Sequence, residues 1–188
     1  DYEQAEQQRL AKLMQEAREQ LPVKISAEEL EAHFEHLTPR YFRTHSLEHI
    51  NIDLTQVNRF LKRVVNGSGS RVLEPVIAWH NQPARGHTSV KICTWDRPGL
   101  FTTISGALAA AGLNILSARV FSRGDGIILD TFLVVNARTG GLAKRPERDT
   151  FKKLITQALL PDESPEFQTQ IDTLAQRGAP ADWEWPSP

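Results

Sequence analysis

Apolar residues recur at helical spacing through the first third of the chain and then give way to alternation. Leu10, Leu13, Met14, Ala17 and Leu21, set among Gln, Glu, Ala, Lys and Arg, predict a helix over residues 2–20 that Pro22 stops. Ser26 with Glu29 three positions on reads as a capping box for a short helix whose buried side is Leu30, Phe34 and Leu37. Thr38-Pro39-Arg40-Tyr41-Phe42 is expected to break that helix. A longer helix starts at Ser46 and carries Ile50, Leu54, Val57, Phe60, Leu61 and Val64 on one side. Asn66-Gly67-Ser68-Gly69-Ser70 is a linker, so residues 1–65 form a small helical module.

Beyond the linker, alternation predicts strands at 71–80, with a flatter start at Pro75, and at 89–95, separated by a loop over 81–88. A helix over 99–111 follows at once, with Leu100, Ile104, Leu108 and Ala111 on one side and Gly112 as a left-handed stop. Strands at 113–122 and 127–135 are joined by Arg123-Gly124-Asp125-Gly126, a strong hairpin signal. Phe151, Leu154, Ile155, Ala158 and Leu159 mark a helix over 147–160, ended by Pro161. In the polar tail, 161–188, a short helix is expected at 164–176, and the Trp183-Glu184-Trp185 element is expected to pack back on the module or a partner. From residue 89 the order is strand, helix, strand, strand, helix: the ferredoxin-like split unit without its last strand. The strand at 71–80 is expected to take that place, antiparallel to 89–95. The predicted class is therefore α+β, a four-stranded antiparallel sheet with helices on one face, over residues 71–160.

Bulk properties narrow the partners. The 188 residues carry a net charge of -1 and 40% apolar residues, enough for a real core and without the basic excess of nucleic-acid binders. The single cysteine, Cys93, excludes an intrachain disulfide and a cysteine metal cluster, and reads as a small buried hydrophobe. No signal peptide or apolar run of spanning length is present, which points to the cytoplasm and away from membranes. The start at Asp1 inside a helical pattern and the Pro-rich end suggest a piece of a longer protein.

The chemistry concentrates at Asp96-Arg97-Pro98-Gly99-Leu100, where a strand runs directly into a helix. Helix N-termini leave N–H groups unpaired and carry partial positive charge, so such a junction suits carboxylates. Asp96 reads two ways, as acceptor for a ligand ammonium or as the helix cap. Arg97 reads as a carboxylate partner or as a solvated arginine. Asn114, followed by Ile115, is a ligand contact or a turn residue. Arg119 and Arg123 are expected on the sheet surface, and Asp125 as a plain turn residue. Asp130 needs a partner or water, and is expected on the exposed sheet face. The pairs His33/His36 and His45/His49 have zinc-compatible spacing but lack framing ligands, so no metal site is assigned.

The run Trp95-Asp96-Arg97-Pro98-Gly99-Leu100-Phe101, with Leu108-Ala109-Ala110-Ala111-Gly112-Leu113-Asn114-Ile115, resembles the ACT domain, a small regulatory module that binds amino acids in allosteric enzymes. The continuation Ser117-Ala118-Arg119-Val120-Phe121-Ser122, the Asp125-Gly126 turn and Leu129-Asp130-Thr131-Phe132 resemble the first of the two C-terminal ACT repeats of the bacterial PII uridylyltransferase/uridylyl-removing family. Pro39-Arg40-Tyr41 is similar to an element between that family's hydrolase domain and its ACT pair. A His that the family often carries further on is Asp53 here.

The resemblance implies a glutamine-sensing regulatory segment that controls uridylylation of PII in nitrogen regulation. Asp96, Arg97, Pro98, Gly99, Leu100, Asn114 and Ile115 are then the ligand-binding residues, and none is catalytic. The segment itself is not an enzyme and holds no cofactor. The family's whole protein is a nucleotidyltransferase and hydrolase whose catalytic domains use Mg2+. The implied partners are glutamine or another amino acid, PII through the whole enzyme, and a second ACT domain or a second copy. The alternative is a stand-alone ACT-containing dimerisation protein that binds a different small ligand.

Overall fold

The computed structural model describes residues 1–66 and 74–159. The linker at 67–70, the start of the expected strand at 71–73, the stop at Pro161 and everything expected of the tail lie outside them. Four helices come first: α1 (Tyr2–Glu19), α2 (Ala27–His36), α3 (Pro39–Thr44) and α4 (Leu47–Asn66). The capping box at α2 forms as read, with Glu29 N–H donating to Ser26 Oγ at 3.2 Å and Ser26 N–H donating to Glu29 Oε2 at 2.7 Å. The other carboxylate oxygen of Glu29 accepts from Asn58 Nδ2 at 2.6 Å, so the cap also ties α4 to the start of α2. Residues 38–42 do not simply break the helix. Pro39 sits in the first turn of α3, where its missing N–H costs nothing, and α3 turns Tyr41 and Phe42 into the core.

The sheet contains β1 (Val76–Gln82), β2 (His87–Trp95), β3 (Leu113–Ser122) and β4 (Ile127–Asn136). Its order is β1-β2-β4-β3 with every neighbouring pair antiparallel. Val76 faces Cys93 and Gln82 faces His87, so β1 takes the position of the missing last strand as expected. The loop expected over 81–88 is much shorter. The ladder continues through Asn81 and Thr88, whose hydroxyl donates to Asn81 Oδ1 at 3.0 Å, and one 3-10 turn, Pro83–Arg85, closes the hairpin.

Helices α5 (Leu100–Ala110) and α6 (Arg145–Ala158) cover one face of the sheet. There Leu100, Ile104, Leu108, Phe151 and Ile155 pack on Val90, Ile92, Phe132 and Val134. The opposite face is not left open. Tyr41, Leu54, Phe60 and Leu61 of the helical module share a second core with Val76, Cys93, Trp95, Phe121, Ile127 and Leu129. No described helix is long and apolar enough to cross a membrane.

Candidate functional site

The strand-to-helix turn is held from below. Asp96 N–H donates to Gly126 O at 2.7 Å, which fixes the end of β2 to the β3–β4 hairpin. Leu100 N–H closes a turn onto Arg97 O at 3.2 Å. Gly99 is the N-cap of α5 with φ 75°, a left-handed conformation that glycine adopts without strain. It is Gly99, not Asp96, that occupies the cap position, and no side chain caps the helix. The first turn of α5 contains no acidic residue. Among the described residues, the N–H groups of Phe101 and Thr102 have no protein acceptor. The positive end of the α5 dipole is therefore open, beside the exposed carboxylate of Asp96. Pro98 and Gly99 are exposed, Arg97 is half-buried, and Leu100 is buried as the anchor of the turn.

Asp130 lies behind this turn. It faces Ile92 on β2 and Val120 on β3, on the side covered by α5 and α6, and is 5% exposed. The expectation of an open sheet face is corrected: the period-2 alternation of β4 puts Asp130 with the buried Ile128 and Phe132. Burial pushes its carboxyl up to about 7, a backbone hydrogen bond from Phe121 opposes that, and the Asp96 charge adds to it.

Asn114 and Ile115 are elsewhere. Asn114 pairs with Val135 near the N-terminal end of β3, whereas Trp95 pairs with Ile127 beside the turn. The two groups of expected ligand contacts are thus at opposite ends of β4, roughly 27 Å apart at the antiparallel rise per residue. Asn114 is exposed, and Ile115 packs against the α5–α6 core. One copy of this unit brings Asp96, Pro98, Gly99 and Leu100 together and leaves Asn114 to another surface.

A buried polar chain that sequence reasoning missed joins the hairpin to the helical module. Arg123 is 4% exposed and not at the surface as expected, and Asp125, in the turn as expected, is buried there at 2% exposed. Arg123 Nε donates to Asp125 Oδ1 at 3.1 Å and its Nη2 to Oδ2 at 2.6 Å. The remaining Arg123 nitrogen, Nη1, lies 3.2 Å from His33 Nδ1. His33 Nε2 lies 3.0 Å from the Tyr41 hydroxyl, which donates to Asp53 Oδ2 at 2.6 Å. Lys91 Nζ donates to Asp53 Oδ1 at 2.8 Å. Only one proton arrangement satisfies every group. Tyr41 spends its proton on Asp53, so it accepts from His33 Nε2–H, and His33 Nδ1 accepts from Arg123. Arg123 can only donate, which assigns neutral His33 the Nε2–H tautomer. Burial, with Arg123 and then His45 beside it, holds His33 well below its ordinary range. Gly124 N–H donates to His36 O at 2.8 Å, and a Cβ on Gly124 would stand 3.1 Å from His36 Nδ1, so the hairpin and α2 meet at backbone distance.

The signals were present but needed tertiary context. Asp53 sits in the apolar stripe of α4 between Ile50 and Val57, and Lys91 interrupts Val90 and Ile92. Polar groups at core positions require partners.

A titration follows from this arrangement. Below about pH 6.5, the ordinary value for His, the unfolded chain takes up a proton at His33 that the folded one refuses. Stability from this group is thus present above that value and lost as pH falls. Imidazole nitrogen NMR is expected to show His33 as the neutral Nε2–H form well below pH 6.5. Protonation of His33 at its ordinary value would contradict the buried chain.

Comparison with known proteins agrees with the geometry. Residues 88–145 match the ACT domain. The chain is 38% identical over 77 residues to the bifunctional uridylyltransferase/uridylyl-removing enzyme of Gluconobacter oxydans, covering 41% of this chain and 8% of that protein. The same enzyme from Zymomonas mobilis is 43% identical over 68 residues, covering 36% and 7%. That of Vibrio cholerae is 29% identical over 112 residues, covering 60% and 12%. The chain thus spans only about a tenth of the length of these relatives.

Proposed function

With residues 88–145 established as an ACT domain, we propose that this chain is the glutamine-sensing regulatory segment of a bifunctional PII uridylyltransferase/uridylyl-removing enzyme. The observation that carries the reading is the uncapped start of α5 beside Asp96. An α-amino acid presents a carboxylate and an ammonium a few bonds apart. The N–H groups of Phe101 and Thr102 suit the carboxylate, and Asp96 suits the ammonium.

The turn also has a physical connection to the rest of the molecule. It holds Gly126 through Asp96 N–H, and Gly126 N–H donates to Arg123 O at 3.1 Å. Arg123 and Gly124 in turn engage His33 and His36 of α2. A ligand that binds one arrangement of the turn more tightly therefore biases how the hairpin seats on the helical module. In the whole enzyme that bias would reach the Mg2+-dependent domains that act on PII.

The separation of Asn114 from the turn favours a partner surface. Along β3, which is an edge of the sheet, Leu116 and Val120 are 58% and 45% exposed. A second ACT unit or second copy pairing there would supply contacts that one unit lacks.

Calorimetric titration of the chain with glutamine, glutamate and serine tests the reading. Saturable binding that prefers glutamine and weakens at least tenfold in Asp96→Ala is expected, and in the whole enzyme the same variant is expected to lose its response to glutamine. A folded chain that takes up none of these amino acids, together with a whole enzyme whose Asp96→Ala variant keeps its glutamine response, overturns it.

A further inference from the structure

The sheet face that meets the helical module is divided along its length. Toward the turn it is apolar, with Cys93, Trp95, Phe121, Ile127 and Leu129 under the module. Toward the other end two cross-strand rows are mostly polar. Lys91, Thr131 and Arg119 are aligned across β2, β4 and β3, and Ser89, Leu133 and Ser117 lie one pleat further on. The module meets these rows at Lys91 through Asp53, and beyond that contact a cavity of about 200 Å³ remains over them. His45 and His49 at the α3–α4 junction form its wall, and Arg85 reaches in from the β1–β2 turn.

The charge of the cavity is one-sided. Lys91, Arg85 and Arg119 line it together with two imidazoles and the hydroxyls of Thr44, Ser89, Ser117 and Thr131, and no carboxylate lines it. Asp53, behind Lys91, neutralises that cation. Arg85 and Arg119 have no acidic partner among the described residues. Cations gathered on one sheet face repel one another unless an anion joins them. A guanidinium offers a planar fork to phosphate oxygens, and the hydroxyls of Ser89, Ser117 and Thr131 supply further donors. The volume, roughly seven waters' share of liquid, fits a small phosphorylated group and not a macromolecule.

We propose that this cavity is a second ligand site, for a small phosphate-bearing anion, formed jointly by the α3–α4 junction and the sheet and separate from the amino-acid turn. A ligand there touches both His49 of the helical module and Arg119 of the sheet, so it binds only the docked arrangement and stabilises it.

Inorganic pyrophosphate titrated calorimetrically into the chain, in a low-salt buffer free of phosphate, tests the site. Saturable binding is expected, with amide shifts at Ser89, Ser117 and Thr131 and a loss of roughly tenfold in affinity in Arg85→Ser and in Arg119→Ser. Both arginines are exposed, and circular dichroism checks that each variant keeps its fold. No binding by the folded parent overturns the proposal. So does binding that survives unchanged in the Arg85→Ser/Arg119→Ser double variant, or amide shifts confined to residues 96–102.

Discussion

Replacing Arg123 by alanine is expected to lower the unfolding free energy by about 3–5 kcal/mol, because it strands Asp125 as an uncompensated buried charge. Both side chains of the pair are 1% exposed. The same change removes the donor to His33 Nδ1, so His33, Tyr41 and Asp53 lose the end of their chain. Arg123→Lys keeps the charge but not the two-nitrogen fork that meets Asp125, and it should fall between alanine and the parent. Urea unfolding followed by circular dichroism measures both. A loss below about 1 kcal/mol for Arg123→Ala, the size of an exposed ion pair, would place the hairpin in solvent and sever the turn from the module.

Asp130→Asn is expected to act in the opposite direction, and only at higher pH. The carboxyl of Asp130 moves from an ordinary 3.8 to about 7 on folding. Between those values the folded chain holds a proton that the unfolded chain has released, so stability falls as pH rises through that window. Above it the parent carries the full cost of a buried carboxylate, about 4 kcal/mol. Asparagine carries no such charge. The variant should match the parent near pH 4 and exceed it by that margin at pH 8, as read from urea midpoints at both values. Equal stabilities at pH 8 would mean that Asp130 is already ionised and solvated in the folded chain. The cost has a bearing on function. Asp96 contributes to it, so an ammonium seated on Asp96 relieves part of it when ligand binds.

What could be read in the sequence followed from local rules. The capping box at Ser26 and Glu29, the left-handed Gly112 after α5 and the Asp125-Gly126 turn need only nearby residues, and each formed as read. The replacement of the last strand by β1 was legible because the split βαβ order leaves one vacant sheet position and one unassigned strand. The strand-to-helix junction at residues 96–99 was legible too, although the cap position fell to Gly99, because the chain needs a left-handed residue directly before α5.

Side-chain direction was not legible wherever it depended on a distant element. Asp130 reads as an open-face residue from sequence, whereas both faces are covered in part, one by α5 and α6 and the other by the module. Arg123 reads as a surface residue because His33, which it meets, lies about ninety residues earlier in the chain, as does the backbone of His36 that Gly124 N–H meets. The distance between Asn114 and the turn was equally hidden, since it is set by the β3–β4 register and not by separation in sequence.

Amide mapping of glutamine on the isotope-labelled chain tests the central claim most directly, that an amino-acid effector seats on the open N-terminus of α5. The expected result is saturable shifts at Gly99, Phe101 and Thr102, with smaller ones at Gly126 and Gly124 along the hairpin. Saturating glutamine that leaves those amides in place, or moves only residues away from the turn, would contradict it.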